Sequence, residues 1–221
     1  MKTSYFKIHE NTYKRKRQNG EKGWSTDTVK KRMLNQILIK LNTLRISELK
    51  ILEIGCGNGG LSIELFKRGF NIKGVDVSAQ AIKWAKEKSA EENLEIDFQQ
   101  ANVLSLPYED NSFNLVIDSL CLHCIIGKDR SLLFNEIKRI LKPESFMLGF
   151  TMCGDPPEEI KPHFDFETRN MVIDDIAGRY IGELKSLIKE FKNNGFTVID
   201  YKLKKFADDQ DELFYLLKKK A

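Results

Sequence analysis

Lys50-Ile51-Leu52-Glu53-Ile54-Gly55-Cys56-Gly57-Asn58-Gly59-Gly60, followed by an amphipathic run and then by Gly74-Val75-Asp76-Val77-Ser78, decides the fold of this chain. An apolar burst, a glycine cluster, a helical pattern and an acid closing a second apolar burst make one βαβ unit of the nucleotide-binding kind. Inside it, Leu61, Ile63, Leu65 and Phe66 predict a short helix stopped at Gly69, and residues 71–76 predict the second strand.

Downstream, Ser78 is placed to cap a helix through Ile82, Trp84 and Ala85 to about Glu92, with Trp84 expected in the core. Residues 95–100 read as a third strand, 113–118 as a fourth, 129–141 as a helix ended by Pro143, and 145–151 as a fifth strand. Strands alternating with helices call for a parallel sheet covered on both faces. Beyond a helix at 183–193 ended by Gly195, residues 196–203 and 212–217 are strand-like with a short loop between them. So small a gap cannot hold a right-handed crossover, so these two strands should form an antiparallel hairpin. Upstream, Val29, Met33, Ile37, Leu38 and Leu41 recur at helical spacing behind a capping Thr26 or Asp27. The residues before them are polar and basic, with Tyr5, Phe6, Tyr13 and Trp24 scattered among them.

At 221 residues the chain is long enough for one well-buried domain and short for two. Its 41% hydrophobic and 31% charged content is ordinary for a globular protein. A net charge of +4 and a pI near 8.7 are too mild to argue for nucleic acid, and Lys14-Arg15-Lys16-Arg17 and Lys218-Lys219-Lys220 read as solvated ends. No apolar run reaches the roughly 20 residues of a membrane span. Met1 to Arg17 lacks the apolar core of a secretory signal, so a cytoplasmic protein is expected. Cys56, Cys121, Cys124 and Cys153 are then free thiols.

Gly55, Gly57 and Gly60 satisfy the dinucleotide pattern G-x-G-x-x-G, and Asp76 lies near the distance expected of a ribose-binding acid. Glu53 argues against a dinucleotide. It lies two residues before the first glycine, where a pyrophosphate would be repelled by about a kcal/mol or more at an effective dielectric near 20. The ligand should lack a pyrophosphate, offer ribose hydroxyls to Asp76 and be cationic near the glycine turn. S-adenosylmethionine meets all three conditions.

Leu52-Glu53-Ile54-Gly55-Cys56-Gly57-Asn58-Gly59 resembles the first motif of the class I S-adenosylmethionine-dependent methyltransferases. The resemblance runs from about Lys50 to Phe150, and the terminal hairpin is similar to that family's reversed strand. It implies an α/β, Rossmann-like three-layer sandwich with a seven-stranded, mostly parallel sheet of order 3-2-1-4-5-7-6, the last strand antiparallel. It also implies that the backbone of Gly55, Cys56 and Gly57 lies against the methionine portion of the ligand, with Glu53 acting on its ammonium through neighbours or water. Asp76 would accept both ribose hydroxyls, Val77 would pack on the adenine, and Asn102-Val103 would stand at the adenine edge. Asp118 falls at the fourth motif, beside the reacting methyl. Gly59 and Gly60 either ease the turn or touch the ligand.

Methyl transfer needs an aligned acceptor and a general base only if that acceptor holds its proton. Asp118-Ser119-Leu120-Cys121-Leu122-His123-Cys124-Ile125 is the stretch to supply such a group, with His123 as base or acceptor contact and Asp118 as the second catalytic candidate. Cys121, His123 and Cys124 are too cramped for a metal centre, and none is expected. The segment lacks the two prolines and the aromatic that base-modifying methyltransferases carry here, which argues against nucleic-acid bases as acceptors.

The expected layout is one methyltransferase domain over 1–221. Residues 1–45 form an extension and helix with the role of a lid, 46–152 the cofactor core, 153–182 an acceptor-binding insertion, and 183–221 the closing helix and hairpin. The expected activity is transfer of a methyl from S-adenosylmethionine to a small molecule, leaving S-adenosylhomocysteine. The rivals are an RNA or protein methyltransferase, a module that binds the donor without turnover, and a dinucleotide oxidoreductase. The acceptor and the oligomeric state do not follow from these residues.

Overall fold

Ile51, Leu52 and Ile54 are wholly buried, as a strand covered on both faces requires, and they form the middle of the main sheet. The computed structural model describes residues 6–44, 48–173, 176–207 and 209–220, so Tyr5 lies outside the described residues. In chain order the helices are α1 (Phe6–Gln18), α2 (Asp27–Leu44), α3 (Gly60–Phe66), α4 (Ala79–Glu91), α5 (Asp129–Ile140) and α6 (Leu184–Asn193). The strands are β1 (Lys50–Ile54), β2 (Asn71–Asp76), β3 (Phe98–Gln100), β4 (Phe113–Ser119), β5 (Leu141–Met152), β6 (Phe164–Asp165), β7 (Asn170–Ile173), β8 (Ile176–Tyr180), β9 (Phe196–Lys204) and β10 (Glu212–Lys219).

The main sheet has the order β3-β2-β1-β4-β5-β10-β9, with β10 antiparallel to both its neighbours. Counted within this sheet, that is the expected 3-2-1-4-5-7-6. Strand alternation divides the core. Ile51, Leu115, Ile117 and Leu148 pack under α2, while Leu52, Ile54, Val116 and Met147 pack against α5 and α6. Thr26 Oγ1 accepts from the Val29 amide at the start of α2, and Ser78 Oγ accepts from Ala81 N at 3.0 Å to cap α4, both as the sequence indicates.

Four features differ from expectation. α1 is a helix where none was expected, because its sequence is polar and only Tyr13 is buried. Trp84 is half-buried outside the core, with the Arg17 guanidinium 5.9 Å from its ring centroid. α5 ends at Ile140 and runs directly into β5, with Pro143 inside that strand. The β4–β5 register jumps from Phe113↔Leu141 to Leu115↔Phe146, and this bulge, with Glu144 at φ 61°, spares the proline from donating a ladder hydrogen bond. The long connection after β5 contains a separate antiparallel sheet, β6-β7-β8. Its first turn is set by Asp165 Oδ1, which accepts from the amides of Glu167 and Thr168. Among the described residues no helix is long and apolar enough to cross a membrane.

Candidate functional site

The parallel strands β1, β2 and β4 all deliver their carboxyl ends to one edge, where the order reverses between β1 and β4 and a crevice opens. A cavity there is lined by Glu53, Gly55, Cys56, Gly57, Asp76, Val77 and Val103 from the core, together with residues of the β4 loop, α1 and β8. Gly60 also lines it, whereas Gly59 does not.

The turn after β1 needs glycine at Gly55, Gly57 and Gly59, of which the first two line the cavity. Gly55 has φ 64°, and a Cβ there would lie 2.7 Å from Cys121 Cβ. Gly57 has φ 56°, and a Cβ there would strike the Tyr13 hydroxyl. The backbone is thereby left bare toward the cavity. Beside it Asp76, 6% exposed, accepts from Gly57 N through Oδ2 at 2.9 Å and from Ser78 N through Oδ1 at 2.8 Å. Burial pushes this acid up to about 6, with the nearby Glu10 carboxylate adding to the shift. Glu53, 2% exposed, accepts from Ser62 Oγ at 2.5 Å, and burial pushes it up to about 7. Neither acid forms an ion pair among the described residues. Each carboxylate oxygen has more than one lone pair, so both retain acceptor capacity toward a ligand.

The loop after β4 is fixed from below. Asp118 Oδ1 accepts from Cys121 N at 2.6 Å and Leu122 N at 3.0 Å, and its Oδ2 accepts from the Tyr215 hydroxyl at 2.5 Å. Arg130 donates to the carbonyls of Leu122 and Ile125 and forms a two-point pair with Glu190. Asp118, implied by the resemblance to stand beside the reacting methyl, is wholly buried and is not among the residues that line the cavity. It holds the loop that forms the cavity wall. Asn102 is also displaced from its expected contact. Its Oδ1 accepts from Leu104 N at 3.0 Å in a turn, and of the pair only Val103 lines the cavity.

His123 lines the cavity and is 1% exposed. Its Nε2 lies 3.0 Å from Arg179 Nη1. A guanidinium can only donate, which assigns the lone pair to Nε2 and the proton of the neutral ring to Nδ1. Burial and the Arg179 charge hold the ring well below its usual pKa. The basic nitrogen is therefore occupied, and the ring offers a donor, not the general base that its sequence position suggested. Nδ1 is buried without a partner among the described residues.

The outer wall comes from the N-terminal segment and the small sheet. Glu10 Oε2 accepts from Ser78 Oγ at 2.7 Å and from Gln80 N at 3.2 Å, which fastens α1 over the start of α4. Trp24 stacks near Tyr13 and His9, with ring centroids 5.3 and 5.6 Å apart. Burial, with Arg179 nearby, lowers His9 to about 4. Tyr13 and Trp24 belong to the extension that was expected to act as a lid, and both line the cavity. His9, Lys30 and Asn58 were not singled out, because their only signal is α1 and α2 folding back over the glycine turn.

The bare glycine backbone and two buried acids without cations fit a ligand that carries hydroxyls and a positive charge. The sheet order and the cavity at its reversal point have the form of the class I methyltransferase fold. Residues 52–148, a little under half of the chain, match the methyltransferase-domain family. A ribosomal protein methyltransferase of Dictyoglomus thermophilum is 32% identical over 118 residues, 53% of this chain and 37% of that protein. The ubiquinone biosynthesis O-methyltransferase of Bartonella tribocorum is 30% identical over 112 residues, covering 51% of this chain and 44% of its own length. The norajmaline N-methyltransferase of Rauvolfia serpentina is 31% identical over 96 residues, covering 42% and 32%. The chain thus spans less than half the length of these curated relatives. Among solved structures, an S-adenosylmethionine-dependent methyltransferase from Methanosarcina mazei superposes with a TM-score of 0.72 at 20% identity, over 82% of this chain and 97% of that one.

Proposed function

We propose that this chain transfers the methyl group of S-adenosylmethionine to a small-molecule acceptor. One observation carries the reading: Glu53 and Asp76 are buried at adjacent strand ends, flank the bare Gly55–Gly57 backbone and meet no cation among the described residues. A pyrophosphate would add like charge to that pair, whereas an aminoacyl nucleoside balances it. Asp76 receives the ribose hydroxyls, and Val77 and Val103 flank the base. The backbone of Gly55, Cys56 and Gly57 carries the amino-acid portion, with Glu53 and Ser62 behind it. When bound, the sulfonium supplies a methyl group that is already activated.

The chain's own contribution is alignment and exclusion of water. Asp118, Tyr215 and Arg130 make the β4 loop rigid, so the wall bearing Cys121 and His123 keeps its place. Residues of α1 and β8 line the outer side of the cavity. That cover favours a small acceptor over a polymer. Calorimetry with S-adenosylmethionine, S-adenosylhomocysteine and NAD tests the cofactor class; tight NAD binding with no response to the sulfur ligands overturns it. Labelled donor incubated with metabolite extracts tests turnover, and complete absence of labelled product would favour a module that only binds the donor.

A further inference from the structure

Arg179 differs from the other described arginines. Arg17, Arg32, Arg68, Arg130, Arg139 and Arg169 each meet a carboxylate, and Arg15 is exposed to solvent. Arg179 is half-buried on the cavity wall and forms no ion pair among the described residues. Its guanidinium carbon lies 5.5 Å from the Trp24 ring centroid, and Nη1 donates to His123 Nε2 at 3.0 Å. Lys30, another cation on the same cavity, has Asp27 at 3.7 Å.

An imidazole held neutral accepts one hydrogen bond but brings no counter-charge, so the rest of the planar donor fork is left to a ligand. Drawing a guanidinium away from water is costly without an anion, and a carboxylate matches its fork at two points. Trp24, Cys124, Ile125 and Met152 give the cavity an apolar share, beside the polar Ser25 and Ser119 and the acids Glu53 and Asp76.

We propose that the acceptor is a small organic acid whose carboxylate pairs with Arg179 while its apolar body lies along Trp24, Ile125 and Met152. This rests on the methyltransferase reading of the cavity. The donor's own amino-acid carboxylate presents the same group, so the test must separate the two sources.

The probes are phenylacetate, cinnamate and hexanoate, each compared with its amide by calorimetry on protein saturated with S-adenosylhomocysteine. At least one acid should bind about tenfold tighter than its amide, and Arg179→Gln should abolish that preference while S-adenosylhomocysteine affinity stays within about twofold. Unchanged cofactor affinity also shows that the variant is folded. Should the Gln variant not fold, Arg179→Lys decides, since it keeps the charge but loses the fork and should reduce the preference at least about threefold. Equal binding of acid and amide, or binding of no acid, overturns the proposal. So does a variant that loses cofactor affinity about tenfold, which would give the guanidinium to the donor's carboxylate. If the wild-type protein binds no S-adenosylhomocysteine, the cofactor reading fails separately, and the acid-against-amide comparison on ligand-free protein judges Arg179 by the same criterion.

Discussion

Asp76 accepts one backbone amide on each oxygen and faces the cavity, so its replacement by Asn tests ligand contact once the melting temperature shows that the turn has survived. Asp76→Asn should weaken S-adenosylhomocysteine binding by about 1.5–3 kcal/mol through loss of charge-assisted hydrogen bonds, read by calorimetry. A pH dependence follows from the same environment. Asp76 is pushed up to about 6 and Glu53 to about 7, so both carry protons in mildly acidic solution when no ligand is bound. A ligand that donates hydroxyls and brings positive charge favours their ionised forms. Affinity should therefore fall as the pH drops from about 8 to 5, and binding near neutrality should release protons, detected as a buffer-dependent heat. Each of these acids also weakens the ligand-free fold as pH rises from about 4 to 7, because the folded state then holds the proton more tightly than the unfolded chain. His123→Phe should lower turnover with cofactor affinity unchanged, and an unaltered rate would remove the ring from the mechanism. Glu53 and Asp76 were legible because local strand and turn signals placed them at strand ends. Asp118 was not, because where its carboxylate points depends on Tyr215, 97 residues away, and Asn102 was not, because its amide is taken up by a local turn onto Leu104 N.

At the scale of elements, α1 and the small sheet decide who reaches the cavity, and both were hard to read. α1 buries Tyr13 alone, so it shows no apolar stripe of its own and is held by docking onto α4 through Glu10 and Arg17. β6, β7 and β8 are short, and their pairing is set by turn chemistry within a polar stretch. The centre of the parallel core needed no such help, since β1 and β4 carry buried apolar runs, Ile51–Leu52 with Ile54 and Leu115–Ile117. If α1 is the lid, Glu10→Ala should speed S-adenosylhomocysteine release several-fold, about 1 kcal/mol for lost hydrogen bonds at a half-exposed carboxylate. The same change should hasten tryptic cleavage between Lys14 and Arg17. Equal release rates and unchanged cleavage would show α1 to be a fixed wall.

For the whole molecule, the cover of α1 and β8 over the cavity predicts that labelled methyl groups enter the small-molecule fraction of an extract and not its protein or RNA. Label in a polymer would return the acceptor to the other kinds of substrate named among the relatives. The antiparallel pairing of β9 and β10 was legible because the short loop between them forbids a crossover, whereas the order of the whole sheet came from the family resemblance. The energetic consequence of that order concerns Asp118, whose Oδ2 is satisfied by Tyr215 on β10. Tyr215→Phe should cost about 1–3 kcal/mol, seen as a lower melting temperature, by leaving that acceptor unpartnered.

The same bond sets an order of events during synthesis. Asp118 leaves the ribosome well before Tyr215, and until β10 inserts between β5 and β9 the buried carboxylate lacks its hydroxyl partner. The nascent half-sheet would keep that loop open to water, and the cavity wall would be completed only when the later strand arrives. A partly made chain should therefore be able to assemble β1 to β4 while remaining unable to hold a finished site.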